Sequence, residues 1–198
     1  MPAVDDDTNR RRFERFALPH LDAAYNLARW LTRNDQDAQD VVQEACLRAM
    51  HYFASFRGEQ ARPWLLTIVR HSCYAWLREN RPAELVHFGD GDDGGVLEAA
   101  APSADEPHET ALRNADRVRL NQAIAALPID FREVLVLREL EDLPYKDIAR
   151  IADIPIGTVM SRLSRARTLL REALQPAAPP RAAVLRAVPR STGTGDPT

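Results

Sequence analysis

The side chains best suited to chemistry lie in one segment, where hydroxyl and guanidinium groups recur at helical spacing. Six of them are candidates for contact with DNA: Thr158, Met160, Ser161, Arg162, Arg165 and Arg167. Hydroxyl and guanidinium groups near a helix N-terminus can hydrogen-bond base edges, whereas Arg165 and Arg167 are better placed for the phosphate backbone. These groups therefore indicate binding of DNA by hydrogen bonds and charge, and not catalysis. No GxSxG, P-loop or HExxH motif and no Cys/His cluster occurs, so we expect no catalytic group, metal or cofactor.

The spacing of apolar residues around these groups predicts a helix-turn-helix. Ile148 and Ile151 give a first helix its apolar face, and Val159 and Leu163 hold a second helix against it. Asp153 falls in the turn between them, where its tolerance of the left-handed conformation suits it. Such a motif places its second helix in the major groove of DNA. The alternative is an ordinary basic amphipathic helix in a bundle.

The first part of the chain also has helical periodicity throughout. Residues 13–33 read as helix, with Pro19 opening a second segment, and residues 41–53 carry an apolar stripe that includes Met50. Asp35 or Asp37 can cap the helix that bears this stripe. Residues 61–79 resume as helix until Pro82 stops it. Nothing in the chain alternates like a strand.

Charge is distributed unevenly along the chain, although the formal net charge is only −3. Residues 10–81 contain twelve Arg against eight acids, and residues 82–112 contain eight acids with no Lys or Arg. Glycines alternate with these acids, which favours a flexible linker. We predict an all-α protein of two small helical domains joined by this acidic linker. The expected divisions are an N-terminal tail over 1–12, a first domain over 13–83, the linker over 84–112, a second domain over 113–175 and a disordered tail over 176–198.

The cysteines and the apolar stretches of the sequence indicate the cellular compartment of the protein. Cys46 and Cys73 lie in apolar helical patterns and read as buried free thiols. No stretch approaches eighteen apolar residues, so we expect no contact with a membrane. The N-terminus has no apolar core of signal-peptide type, and we expect a cytoplasmic protein.

Two motifs, in order across the linker, carry a family resemblance. DAQDVVQEACLRA (37–49), SFRG (55–58) and PWLLTIVRHSCYAWLR (63–78) resemble region 2 of extracytoplasmic-function (ECF) sigma factors of the sigma-70 family. Residues 127–170 look like their region 4. The resemblance covers about residues 13–175. It implies a factor that binds core RNA polymerase and directs promoter-specific transcription initiation, with region 2 recognising −10 DNA and the helix-turn-helix recognising −35 DNA.

The resemblance also implies sites in region 2. The DAQDVVQEA helix would dock on the β′ coiled coil, with the β subunit as a further contact, through Asp37, Asp40, Gln43, Glu44 and Arg48. A solvated polar face is the alternative, and a carboxylate metal site with His51 is disfavoured because Glu-x-x-His pairs are missing from this helix. SFRG and the next helix would bind melted −10 DNA through an outward-facing set: Arg57, Arg70, His71 and Tyr74.

Other expectations depend on the family alone. The acidic linker would lie near the active centre and RNA exit channel of polymerase, and an anti-sigma factor is left open as a further partner. Three residues depart from the family pattern: Met160 stands where Lys is frequent, Pro144 where Ser or Thr would cap, and Asp153 where Gly is usual. The competing hypothesis is a stand-alone helix-turn-helix regulator. Co-purification with core polymerase would separate the two.

Overall fold

A computed structural model of the chain describes residues 3–53, 56, 60–85 and 110–175, and within these every regular element is helical. The first block contains α1 (Ala3–Ala17), α2 (Leu21–Thr32), α3 (Asp35–Tyr52) and α4 (Ala61–Asn80), with 3₁₀ turns at Leu18–His20 and Pro82–Leu85. The second contains α5 (Thr110–Ala126), α6 (Ile129–Leu135), a π-helical turn (Val136–Leu140), α7 (Tyr145–Ala152) and α8 (Ile156–Leu174). The all-α prediction is confirmed. Most of the predicted linker and all of the predicted C-terminal tail lie outside the described residues.

The first bundle is built from α2, α3 and α4, which pack against one another. Small residues on α3, such as Ala45 and Ala49, are fully buried and let its neighbours approach closely. One expectation about this core was wrong: Met50, which was placed in the apolar stripe, is 42% exposed. Leu66 on α4 is fully buried and adds to the core.

The start of α3 also differs from the prediction. Asn34 is the N-cap, and its Oδ1 accepts hydrogen bonds from the backbone N–H of Gln36 (2.9 Å) and of Asp37 (3.0 Å). The predicted caps, Asp35 and Asp37, lie instead in the first helical turn. Their negative charges there interact favourably with the positive end of the helix dipole. The preceding residue, Arg33, ends α2 in the left-handed conformation (φ 55°).

The second bundle contains the predicted helix-turn-helix in α7 and α8. Ile148, Ile151 and Val159 are fully buried, and Leu163 is 1% exposed. Asp153 adopts the left-handed conformation (φ 54°) that the turn requires, as predicted. The turn fixes α8 against α7 and so determines which of its side chains face outward.

The two bundles pack against each other. α4 lies on α7, and α2 lies on α6. Their buried apolar side chains form one continuous cluster. The sequence predicted two domains separated by a linker but gave no sign of this contact, and the five-part division of the chain stays a prediction.

Three observations concern the chemistry of the described residues as a whole. Cys73 is buried and Cys46 half-buried, both as free thiols, and burial raises the pKa of each. The described residues contain no group of three or more His, Cys, Asp or Glu arranged to hold a metal ion. None of the described helices is both long enough and apolar enough to cross a bilayer.

Candidate nucleic-acid interface

The N-terminal half of α8 presents polar and apolar side chains to solvent. Met160 is 51% exposed, and Ser161 and Arg165 are also exposed. Thr158 is half-buried, and its carbonyl accepts a hydrogen bond from the Ser161 hydroxyl at 3.1 Å. Three of the six residues predicted to contact DNA are therefore exposed in this half of the helix.

Two arginines of the predicted −35 set already have carboxylate partners within the second bundle. Arg162 lies 3.3 Å from Asp130, and the two side chains are only 16% and 3% exposed. Arg167 lies 2.6 Å from Glu139, with both side chains 46% exposed, and this hydrogen bond raises the pKa of Arg167. Arg162 is therefore held by the fold, whereas Arg167 lies at the surface.

The predicted −10 set is divided by the structure. His71 is exposed, and Arg57 lies outside the described residues. Arg70 and Tyr74 do not face outward as predicted, because both point into the second bundle. The Arg70 guanidinium and the Tyr74 hydroxyl donate hydrogen bonds to the carboxylate of Glu133 on α6, the hydroxyl at 3.0 Å. The Arg70 guanidinium also lies 4.4 Å from the centroid of the Tyr74 ring.

Burial dominates the electrostatics of this cluster. Glu133 is fully buried, and desolvation raises the pKa of its carboxyl, against the opposing effect of the Arg70 guanidinium. Desolvation and the neighbouring Glu133 charge raise the pKa of the Tyr74 hydroxyl, so Tyr74 stays protonated and donates. Buried hydrogen bonds and the ion pair between Arg70 and Glu133 thus connect α4 of the first bundle to α6 of the second.

A second polar contact between the bundles was missed by the sequence analysis. Glu141, 7% exposed, accepts hydrogen bonds from Arg62 on α4 and from the Asn26 amide on α2, the latter at 2.6 Å. At the edge of the same interface, Arg150 on α7 donates to the Gln60 side chain at 2.8 Å. No spacing rule could have found these pairs, since their members are 79 to 115 residues apart along the chain.

Aromatic rings cluster around Phe56, the one residue of the SFRG motif that the structure describes. The Phe56 and Trp64 rings lie 4.6 Å apart between centroids, and both side chains are half-buried. Phe53, buried to 1% exposure, stacks on Phe56 at 6.0 Å. These rings belong largely to the core of the first bundle, with the edges of Phe56 and Trp64 at its surface.

The polar face of α3 is exposed and mostly free of contacts with the second bundle. Asp40 and Gln43 are exposed, Glu44 and Arg48 form an exposed ion pair at 2.7 Å, and Asp37 is half-buried at 3.2 Å from Arg81. Beside this face lie three apolar side chains whose exposure the sequence analysis did not predict: Leu47, Met50 and Tyr52. Polar and apolar groups together make this a surface of mixed character, typical of protein interfaces.

Comparison with known proteins finds the same two regions. Residues 16–82 match the family described as Sigma-70 region 2, and residues 117–170 match Sigma-70, region 4. The chain is 35% identical to the RNA polymerase sigma-H factor of Pseudomonas aeruginosa, over 85% of this chain and 89% of that protein. It is 35% identical to the ECF RNA polymerase sigma-E factor of Haemophilus influenzae, over 76% of this chain and 80% of that one. Among solved structures, the sigma factor RpoE of Bartonella quintana, in complex with the anti-sigma factor NepR, superposes with a TM-score of 0.63 at 29% identity, over 83% of this chain and 97% of that one.

Proposed function

Because the chain belongs to the extracytoplasmic-function sigma factors of the sigma-70 family, it is a promoter-recognising initiation factor for RNA polymerase, and we propose which of its residues do this work. The proposal assigns −35 DNA to α8, −10 DNA to α4 with the segment before it, and core polymerase to α3. The observation that carries it is the helix-turn-helix, whose second helix has an exposed face of hydroxyl, thioether and guanidinium groups.

At the −35 element, α8 enters the major groove. Met160 and Ser161, near the N-terminus of the helix, contact base edges, and Arg165 and Arg167 contact phosphates. Thr158 and Arg162 are half-buried, so they contribute less directly. Arg162 stays paired with Asp130, and the pair sets the angle of α8 within the bundle.

At the −10 element, α4 contacts the melted strand. Arg70 and Arg57 hold phosphates, His71 hydrogen-bonds at the surface, and Tyr74 offers an aromatic face for an unpaired base. Arg70 and Tyr74 require that the second bundle move away, since both are hydrogen-bonded to Glu133 here.

Core polymerase binds the polar face of α3. The carboxylates and amide of Asp40, Gln43 and Glu44 are exposed and paired only locally, so they are available to a basic partner such as a coiled-coil tip. The neighbouring apolar side chains Leu47 and Met50 add area that loses water on docking. The β′ coiled coil is the proposed partner, with β as a further contact.

Three further statements belong to the same proposal. The factor contributes no catalytic group, because polymerase carries out the chemistry of RNA synthesis. It acts in the cytoplasm, where polymerase and the genome are. An anti-sigma factor is a further partner, supported by the structure of the sigma factor from Bartonella quintana, which is bound to such a protein.

Run-off transcription from a randomised promoter library, with core polymerase and the full chain, tests the proposal. The expected result is chain-dependent transcripts from promoters that share one −35 and one −10 sequence. The matched control is the chain with Val159→Asp, which buries a charge in the helix-turn-helix core and should remove −35 selection. A chain that binds promoter DNA but neither co-purifies with core polymerase nor yields transcripts would be a stand-alone regulator.

A further inference from the structure

Two arginines of α1 carry exposed charge that the fold does not neutralise. Arg12 and Arg15 are both exposed, and neither forms an ion pair with a carboxylate of the residues that the structure describes. No acid stands three or four residues away from either one along the chain, so α1 itself offers them no partner. By contrast, the exposed Arg29 of α2 and Arg48 of α3 each lie beside a carboxylate, at 2.6 Å and 2.7 Å. The charges on α1 are therefore available to an anion from outside this chain.

α1 lies against the aromatic rings that cluster around the SFRG motif. The Arg12 guanidinium carbon lies 5.4 Å from the centroid of the Phe53 ring, and the Phe16 and Phe56 rings lie 5.7 Å apart between centroids. Phe56 in turn contacts Trp64, and both of these side chains are half-buried. The charge of α1 and the exposed ring edges are thus close together at the surface of the first bundle.

An open cleft continues this surface from α1 to the start of α4. It has a volume of about 460 Å³, and Arg15, His20 and Gln60 are among the residues that line it. Burial and the nearby Arg62 charge lower the pKa of the His20 imidazole, so His20 adds a neutral hydrogen-bonding group. Asp147 also lines the cleft, but it forms an ion pair within α7 at 3.0 Å. The cleft therefore offers an anion a cation and neutral polar groups.

Cations beside exposed aromatic rings have the chemistry that binds single-stranded nucleic acid. Arginines hold the phosphates of such a strand, and aromatic side chains stack on its unpaired bases. An acidic peptide would match the charges of Arg12 and Arg15 but would leave the rings of Phe56 and Trp64 unused. A duplex would leave them unused as well, because its bases are paired and stacked on one another. The arrangement therefore favours a single strand.

We propose that α1 extends the DNA surface beyond the −10 element, with Arg12 and Arg15 holding phosphates of the single strand that continues downstream. The inference rests on the proposed role of α4 and the segment before it, since that role brings the melted strand to Phe56 and Trp64. Upstream of the −10 element the DNA is duplex as far as the −35 element, so a single strand can continue only downstream. The two arginines are three residues apart and lie on neighbouring positions of one helix face. Because phosphates carry no sequence information, the contact does not depend on the bases of the downstream strand.

The number of phosphate contacts determines how binding depends on salt. Each contact with a single strand contributes about −0.7 to the slope of log K against the logarithm of salt concentration, so two contacts contribute about −1.4. Between about 50 and 200 mM salt, this contribution alone changes the affinity by about sevenfold. Loss of both arginines should therefore weaken binding most at low salt.

The test measures binding of fork-junction DNA, built from a promoter that the chain transcribes, to holoenzyme assembled from core polymerase and the full chain. In the short fork the unpaired strand ends with the −10 element, and in the long fork it continues by about eight nucleotides, within the length that one single-strand site covers. In a third DNA the continuation is double-stranded. The variant is Arg12→Gln with Arg15→Gln, which removes both charges and keeps helix propensity. The matched control is Arg29→Gln with Arg117→Gln, at exposed positions of α2 and α5, and circular dichroism reports folding.

We expect the variant to bind the long fork at least about tenfold more weakly than the control at about 50 mM salt, with a penalty that shrinks by about sevenfold at about 200 mM. The short fork should bind variant and control equally. Equal binding of the long fork would overturn the proposal, and so would an equal loss on both forks. A loss of the same size on the double-stranded continuation would also overturn it, because the occupant would then be a duplex. If the double variant does not fold, Arg15→Gln alone should lose about threefold on the long fork, and no loss would again overturn the proposal.

The short fork separates this inference from the proposed function. Arg70→Ala should weaken binding of the short fork, because Arg70 is assigned to −10 DNA. Unchanged binding would show that α4 does not hold −10 DNA through Arg70, and the proposed function would fail at that point together with the role of α1. Weaker binding of the short fork by Arg70→Ala, with equal binding of the long fork by the α1 variant and its control, would leave the proposed function intact and remove only the role of α1.

Discussion

α4 and α8 are both arginine-bearing helices assigned to promoter DNA, yet the fold treats their arginines differently. Arg165 and Arg167 of α8 lie at the surface, and the partner of Arg167 is an exposed acid of its own bundle. Arg70 of α4 is mostly buried against a carboxylate of the other bundle. The surface proposed for −35 DNA is therefore exposed in this structure, whereas Arg70 and Tyr74 of the surface proposed for −10 DNA are bound to the second bundle.

This difference follows from where each helix lies. α8 packs against α5, α6 and α7 of its own bundle through a buried face that includes Val159, Leu163 and Ala166. α4 is central, in contact with α2 and α3 on one side and with α7 on the other. A helix buried on two sides can expose a nucleic-acid surface only if one neighbour leaves. The same residue type thus lies on an exposed face of one helix and on a covered face of the other.

α3 carries a third polar surface, the one proposed to bind core polymerase. Substitutions on α3 should give the largest of the predicted losses of binding. Asp40→Arg with Glu44→Arg reverses two exposed charges one turn apart, so we expect capture by the isolated β′ coiled coil to fall by at least about 100-fold. Asp116→Arg with Glu172→Arg, the same change at exposed sites of the second bundle, is the control. Undiminished capture of the α3 variant would remove α3 as the docking surface.

Within α8, two alanine variants should separate an exposed arginine from one that is held by a buried carboxylate. Arg165→Ala should weaken binding to −35 duplex by about 1–3 kcal/mol while leaving the free energy of unfolding nearly unchanged. Arg162→Ala removes one ion-pair partner of the buried Asp130 carboxylate and should lower the unfolding free energy by about 1–3 kcal/mol. Urea denaturation and duplex titration measure the two effects. Equal stability of the two variants would contradict the structural role of Arg162.

The two helices also begin differently, and this predicts a smaller effect. α3 has the Asn34 side chain as its cap, whereas α8 starts after Pro155 with no side-chain cap. Asn34→Ala should therefore cost about 1 kcal/mol of unfolding free energy. Gln39→Ala, at an exposed position inside α3, is the control and should change stability little. A cost no greater than that of the control would mean that the cap hydrogen bonds add nothing.

The smallest predicted effect concerns Met160, an exposed thioether on the reading face of α8. An apolar side chain there can contact the methyl group of thymine. Replacing the contacted thymine of the −35 duplex with deoxyuridine removes only that methyl and should weaken binding by about 0.8 kcal/mol, or about fourfold. Met160→Ala should bind both duplexes equally. A deoxyuridine penalty that persists in Met160→Ala would assign the contact to another residue.

Much of the local structure was determined by the sequence itself, because it depends on neighbours within one or two helical turns. The spacing of Ile148, Ile151, Val159 and Leu163 predicted the helix-turn-helix, and the tolerance of Asp for the left-handed conformation predicted the turn at Asp153. The limits of such rules appear at Asn34, because Asp35 and Asp37, which follow it closely, are equally good caps by residue type. Only the backbone conformation decides which of the three side chains reaches the free N–H groups.

The direction in which a side chain faces the rest of the molecule was decided by tertiary structure alone. Arg70 and His71 are adjacent and equally polar, yet one is buried on Glu133 and the other is exposed. Helical periodicity could separate them only if the partner of each helix face were known, and that partner lies 63 residues away along the chain. A buried charge without an opposite charge beside it is strongly destabilising, so the positions of Arg70 and Glu133 were fixed together, by the packing of the two bundles and not by either local sequence.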